Sequence, residues 1–122
     1  GHHRGDEVLQ LIADAIRAKV RDGDLVGRLG GEEFGVFMRG ANEIIATNVG
    51  ERIRRSVNNL VVRSEEVAQR LSVSIGGAAF EGDIGFTELF RVADRRLYAA
   101  KRLGRNCVLM DDTGPLSGVA SA

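Results

Sequence analysis

The chain of 122 residues is predicted to adopt an α+β fold. Three segments have helical periodicity, a glycine turn joins two short apolar runs between the first two, and further strand-like runs occur toward the carboxyl end. Leu9, Ile12, Ile16 and Val20 share one helical face, so the first helix is expected from about Asp6 to Val20. Because the elements alternate irregularly around one clear hairpin, the pattern favours helices packed on a mainly antiparallel sheet.

The hairpin is predicted from apolar runs at residues 25–29 and 34–38, which flank Gly30-Gly31-Glu32-Glu33. Gly30 and Gly31 reach positive φ without steric penalty and let a ligand approach the backbone. The adjacent carboxylates of Glu32 and Glu33 are hard oxygen ligands that suit Mg²⁺ together with substrate phosphates. Two interpretations stay open on these residues alone: a turn with solvated glutamates, or a site for a metal-bound nucleoside triphosphate.

Two further helices are expected. The second runs from a cap at Asn42 to about Asn59, and the third from a cap at Thr87 to Gly104, a position that favours positive φ. Their inward faces should carry Ile44, Ile45, Val49, Ile53 and Val57 in the second helix, and Phe86, Phe90, Ala93, Leu97 and Ala100 in the third. Strands are expected over residues 70–80 and 106–110.

Composition indicates one compact domain over residues 1–110. Seventeen basic and 17 acidic side chains cancel, so no overall field favours nucleic acid or an anionic membrane surface. No apolar run reaches the length of a membrane span, and the single Cys107 is typical of a structural thiol in a reducing cytosol. We therefore expect a cytoplasmic domain, or the cytoplasmic part of a membrane-bound parent, followed at residues 111–122 by a flexible tail or linker.

Four more segments carry a recognisable pattern. Gly1-His2-His3-Arg4-Gly5-Asp6 is similar to GHxxGD, Arg21-Asp22-Gly23-Asp24 to RxxD, Ser72-Val73-Ser74-Ile75-Gly76 to SxG, and residues 93–106 to ADxALYxAKxxGRN. Together with Gly30-Gly31-Glu32-Glu33-Phe34, they resemble the GGDEF-domain family, the diguanylate cyclases, in its GGEEF form. The matches keep the family's order and spacing from residue 1 to about Met110.

The resemblance implies a ferredoxin-like, polymerase-palm-like sandwich with the GGEEF hairpin at the rim of the sheet. It also implies a reaction in which two GTP molecules condense to cyclic di-GMP and release pyrophosphate. That reaction would need a homodimer of facing domains, Mg²⁺ (or Mn²⁺), and a sensory or output domain elsewhere in the parent chain. A second possibility stays open: a noncatalytic module that senses cyclic di-GMP or GTP and regulates a partner domain.

The resemblance assigns roles by position. The catalytic residues would be Glu32, Glu33, Lys101 and Arg105, with both glutamates binding metal and the choice of base left open. The substrate would meet His2, Asp6, Gly30 and Gly31, and inhibitory product would bind Arg21, Asp24 and Arg52. Alternatives without a ligand remain: a helix cap for Asp6, a tag remnant for His2, helix-dipole compensation for Lys101 and Arg105, and a solvated turn with an ordinary charged helix face for the product site.

Two departures from the family pattern matter. The sequence begins at GHxxGD, so the family's preceding helix and first strand, with a further metal-binding aspartate, are not in it. Because a sheet without its central strand exposes unpaired backbone groups, we expect the 122 residues alone neither to turn over GTP nor to form a stable monomer unless another chain covers the gap. Arg96 stands where alanine is usual and is expected on the surface.

Overall fold

The computed structural model describes residues 2–22, 24–30, 33–38, 40–64, 67–80 and 84–112, with the backbone alone at 2–4, 25–30, 33, 64, 67 and 69. Within these ranges three helices and six strands occur. The helices are α1 (His2–Lys19), α2 (Glu43–Asn58) and α3 (Phe86–Arg102). The strands are β1 (Leu25–Gly30), β2 (Glu33–Phe37), β3 (Val61–Ser64), β4 (Val67–Arg70), β5 (Ile75–Gly76) and β6 (Val108–Leu109).

The strands pair two by two. β1 and β2 are antiparallel, from Leu25 opposite Phe37 to Gly30 opposite Glu33, which confirms the predicted hairpin. β3 and β4 are also antiparallel, whereas β5 and β6 are parallel. In the described ranges the chain therefore has three two-stranded sheets, mainly antiparallel, rather than one continuous sheet.

The helix ends differ from the prediction in two places. α1 begins at His2, so Asp6 lies within the helix and is not its cap. The apolar stripe that predicted α1 identifies its buried face but not its first residue. α3 begins after Gly85, whose extended backbone (φ −71°, ψ 147°) is the N-cap, so the predicted cap at Thr87 is wrong. For α2 the predicted cap is confirmed, because Asn42 Oδ1 accepts from the backbone N–H of Ile45 at 2.8 Å.

The core lies where α1 packs against α2, and Phe34 and Val36 of β2 pack against the same cluster. Its buried members are Ile16, Val49, Ile53, Val57 and Leu71. Ile44 and Ile45 were predicted to face inward but are 72% and 36% exposed. The buried stripe of α2 starts at Ala46, and at about 100° per residue Ile44 falls on the opposite side of the helix.

α3 packs against β5 and β6, and a glycine makes this contact possible. A methyl group at Gly76 would overlap the backbone nitrogen of Leu97 and lie 2.5 Å from the carbonyl oxygen of Ala93. Gly76 therefore lets the backbone of α3 approach β5 directly, which explains why the SxG segment ends in glycine.

The strands near the carboxyl end were predicted too long, and one hairpin was missed. Pairing between β5 and β6 is limited to the stretch where Ile75 N–H donates to Cys107 and Gly77 N–H donates to Leu109, both at 2.9 Å. Strands therefore occupy only parts of the predicted ranges, residues 70–80 and 106–110. The missed β3–β4 hairpin contains several charged residues, so its apolar alternation is weak.

Two aromatic residues of α3 also differ from the prediction. Phe86 and Phe90 were expected to face inward but are 60% and 37% exposed. Phe86 stacks on Phe37 of β2 at 5.3 Å between ring centroids, and Phe90 follows at 6.1 Å from Phe86. These rings pack against one another at the edge of the fold rather than in the core.

Candidate functional site

A groove of about 690 Å³ is lined by α1, α2, β2, β5 and the carboxyl end of α3. Its inner wall is apolar, with side chains such as Ile12, Val36 and Ile53. Three of its lining residues are cationic, and none of those that the structure describes is acidic. The cationic residues are Arg70, Lys101 and Arg105.

Residues from four of the sequence motifs meet at this groove. Gly5 comes from GHxxGD, Phe34 from GGEEF, Ser74 from SxG, and Lys101 with Arg105 from the final motif. These segments come from both ends of the chain. The fold thus brings together the regions to which the resemblance assigned substrate, metal and phosphate contacts.

Lys101 and Arg105 are placed by the end of α3. Lys101 is half-buried in the last turn, and Arg105 is exposed just beyond Gly104, whose φ of 114° confirms the predicted positive value. The N–H of Arg105 donates to Ala100 at 3.0 Å, the six-to-one bond of a Schellman motif. Both cations therefore line the groove together with Phe34, the residue that follows Glu33.

The tip of the hairpin is only partly described. Glu33 begins β2 opposite Gly30, and for both residues the structure gives the backbone alone. Gly31 and Glu32 lie outside the described residues. Two adjacent carboxylates are a donor set that fits Mg²⁺, but no group of three metal-ligating side chains occurs among those described, so the metal site stays a prediction.

The residues assigned to the guanine base lie on α1. Asp6 is exposed beside Gly5, which lines the groove, and its position inside the helix excludes the alternative role of cap. His2 belongs to the first turn of α1, described by its backbone alone. The contact of Asp6 and His2 with a base stays a prediction.

Arg21 and Asp24 form a close pair. The side chain of Asp24 is 3% exposed, and its two oxygens accept from Arg21 Nη2 at 3.1 Å and Nε at 3.2 Å. The backbone N–H of Arg21 also donates to Asp24 at 2.8 Å. The guanidinium of Arg21 lowers the pKa of the Asp24 carboxyl below its ordinary value. Asp24 is therefore not a solvated turn residue, whereas Arg52 lies on the exposed face of α2 and its part in the same site stays a prediction.

Comparison with known proteins identifies the family to which this chain belongs. The family model described as "Diguanylate cyclase, GGDEF domain" matches residues 1–107 of this chain. The chain belongs to the GGDEF family. Diguanylate cyclase DosC of Escherichia coli K12 is 40% identical to the GGDEF chain over 111 residues, which make up 88% of this chain and 24% of DosC.

Solved structures of diguanylate cyclases have the same fold. The structure of SiaD from Pseudomonas aeruginosa, in complex with its activator SiaC, superposes with a TM-score of 0.84 and 36% identity, over 91% of the GGDEF chain and 43% of SiaD. The active GGEEF domain of a diguanylate cyclase from Vibrio cholerae gives 0.82 and 29%, over 90% of this chain and 70% of that one. The palm-like fold implied by the resemblance is confirmed, and the chain spans about a quarter of the length of curated relatives such as DosC.

One interaction of the GGDEF domain was missed in the sequence. Arg96, expected on the surface, is only 15% exposed in its side chain. Its Nη1 donates to the carbonyl oxygens of Gly77 at 2.8 Å and Met110 at 3.0 Å, and its Nε donates to Asp112 at 3.2 Å. The sequence did contain a sign of this burial, because Arg96 falls between Ala93 and Ala100 on the apolar stripe of α3.

No helix in the described part of the domain combines the length and the apolar character that a membrane span requires.

Proposed function

We propose that this GGDEF domain is part of a diguanylate cyclase that converts two GTP molecules into cyclic di-GMP and two pyrophosphates. In two facing domains, the 3′-hydroxyl oxygen of each GTP attacks the α-phosphorus of the other, and the bond from that phosphorus to the pyrophosphate oxygen breaks. The observation that carries this proposal is the convergence of Gly5, Phe34, Ser74, Lys101 and Arg105 on one groove. Positioning of the two nucleotides supplies much of the acceleration.

Each motif residue has a role in this proposal. Glu32 and Glu33 would hold Mg²⁺ (or Mn²⁺), and one of the two would accept the hydroxyl proton. When held there, the metal would polarise phosphoryl oxygens and offset charge on the leaving pyrophosphate. Lys101 and Arg105 would donate charge-assisted hydrogen bonds to the triphosphate. The guanine base would contact His2 and Asp6, and Gly30 with Gly31 would let phosphates approach the backbone.

Cyclic di-GMP would inhibit the enzyme at Arg21, Asp24 and Arg52. The Arg21 side chain remains 40% exposed while Asp24 holds its guanidinium in place. A planar guanidinium held in this way suits phosphates and guanine edges. The same pair favours the second candidate function, a noncatalytic domain that binds cyclic di-GMP and regulates a partner.

The apolar part of the groove bears on whether this segment acts alone. Both β2 and β5 contribute residues to its lining, and each of these strands pairs along one edge only in the described ranges. Because Ile75 and Gly77 donate to β6, the N–H and carbonyl of Gly76 point away from β6. We propose that a strand from outside these 122 residues pairs there, and that the 122 residues alone do not turn over GTP.

The decisive experiment follows cyclic di-GMP and pyrophosphate formed from GTP and Mg²⁺ by the intact parent protein. We expect product from the unaltered protein, none from Glu32→Ala, and normal product from Glu88→Ala, an exposed glutamate of α3 paired with Arg91. Absence of product from the unaltered protein, with cyclic di-GMP binding that is lost in Arg21→Ala, would overturn the enzyme and favour the sensor.

A further inference from the structure

The segment that follows α3 has unusual backbone angles. Gly104, Arg105 and Asn106 have φ values of 114°, 65° and 50° in succession. Glycine adopts positive φ freely, and asparagine does so more readily than most residues. Arginine does not, because its Cβ then crowds the following carbonyl oxygen. Such a conformation persists only where the surrounding contacts impose it.

Two contacts reach this segment from other elements. The backbone N–H of Asn106 donates to Ser74 Oγ, just ahead of β5, at 3.1 Å. The side-chain oxygen of Asn106 accepts from Arg54 Nη1 of α2 at 3.4 Å. Since Arg105 N–H is bound to Ala100, the segment is fixed on both sides of the strained residue.

Arg54 is itself held in place. Its Nη2 donates to Glu51 at 2.8 Å, and its side chain is 22% exposed. The side-chain amide of Asn58, one helical turn further along α2, lies within hydrogen-bond distance of Arg54 Nη1, Asn106 Oδ1 and the Leu71 carbonyl. α2 therefore supplies a preorganised set of polar groups to the segment that carries Arg105.

We propose that Ser74 and Arg54 are positioning residues for Arg105, which act through Asn106 to hold Arg105 at positive φ and aim it into the groove. Neither residue needs to touch the nucleotide. Without the Ser74 hydroxyl the N–H of Asn106 loses its acceptor, and Arg105 relaxes toward negative φ, where its side chain takes another direction. This inference rests on the proposed function, because it assigns Arg105 a phosphate to contact.

A double-mutant cycle in the intact parent protein tests the coupling. The variants are Ser74→Ala, Arg105→Ala and both together, with Ser56→Ala, on the partly buried side of α2, as the matched serine control. The readout is affinity for a non-hydrolysable GTP analogue. We expect about fivefold weaker binding for Ser74→Ala, the effect of one hydrogen bond, no further loss when it is added to Arg105→Ala, and no change for Ser56→Ala. Equal losses from Ser74→Ala in both backgrounds would overturn the inference.

Crystal structures of the intact protein and its Ser74→Ala variant separate this inference from the proposed function. We expect φ of Arg105 to be positive in the first and negative in the second. If φ changes as expected but Arg105→Ala leaves GTP affinity unchanged, the positioning stands and the proposed phosphate contact fails. If φ stays positive in Ser74→Ala, the positioning role of Ser74 is refuted whatever the affinity. Arg54→Met should relax φ in the same way, and Arg54→Lys should preserve it in part.

Discussion

The guanidinium of Arg96 donates to two backbone carbonyls at the ends of β5 and β6, whereas its neighbour Arg95 donates to the exposed carboxylate of Asp112. We expect Arg96→Ala to lower the free energy of unfolding by about 1–3 kcal/mol, because Gly77 and Met110 each lose a charged donor. Arg95→Ala should cost less than about 0.5 kcal/mol, as exposed ion pairs do. Urea unfolding of the domain within the intact protein measures both, and equal effects would contradict the assignment.

Because of Asp24, the free energy of unfolding of the domain should depend on pH in the acidic range. Its pKa in the folded state is lowered from 3.8 by hydrogen bonds from Arg21, so ionised Asp24 favours the folded state. That contribution is complete above the ordinary pKa and is lost as the pH falls through the lowered folded value. The difference in unfolding free energy between the unaltered protein and Asp24→Asn should therefore shrink as the pH falls from 6 to below 3.8. A difference that stays constant would show that Asp24 is not ionised in its pair.

The two cations that line the groove were singled out from the sequence, but the residues that hold the segment carrying Arg105 were not. The spacing of Lys101 and Arg105 within a family motif was enough to single them out. Nothing in the local sequence indicates that Ser74 would hold the Asn106 N–H or that Arg54 would reach its amide, because these partners lie far apart in the chain. Contacts of this kind depend on tertiary packing, which periodicity does not report.

At the scale of the secondary-structure elements, the packing of α3 on β5 depends on Gly76. We expect Gly76→Ala to destabilise the domain by about 3 kcal/mol, because the new methyl group meets helix backbone rather than a movable side chain. Gly5→Ala is the matched control, since Gly5 sits within α1 and, apart from its chain neighbours and the helix backbone, no atom of the described residues lies within 4 Å of its added Cβ. That change should be neutral or stabilising by up to about 1 kcal/mol. Urea unfolding compares them, and a mild effect at Gly76 would contradict the close packing.

Elements with strong local signals were predicted well. The glycine turn gave the β1–β2 hairpin, and Asn42 gave the start of α2. The β3–β4 hairpin was not predictable in this way because its charged residues obscure the apolar alternation, and the close approach of β5 to the backbone of α3 is a tertiary contact that leaves no local signal. Phe86 lies at the surface, where its ring stacks on Phe37 of β2, a residue of another element.

At the scale of the whole molecule, the candidate site exists only because both ends of the chain reach one groove. Gly5 of α1 and Arg105 beyond α3 line it together with Phe34 of the hairpin. The order of motifs in the sequence identified the family, but only the fold shows that these segments share a surface. A nucleotide site at this groove therefore requires that the cations at the end of α3 face the same ligand as the hairpin.

The most direct test of this nucleotide site compares two variants of the intact protein, Lys101→Ala and Arg102→Ala. The measurement is their affinity for a non-hydrolysable GTP analogue in the presence of Mg²⁺. Lys101 lines the groove, whereas its exposed neighbour Arg102 lies over the ring of Tyr98 at 5.9 Å. We expect at least about tenfold weaker binding for Lys101→Ala, because a charged donor to the triphosphate is lost, and no change for Arg102→Ala. Equal affinities for the two variants would contradict a nucleotide site at this groove.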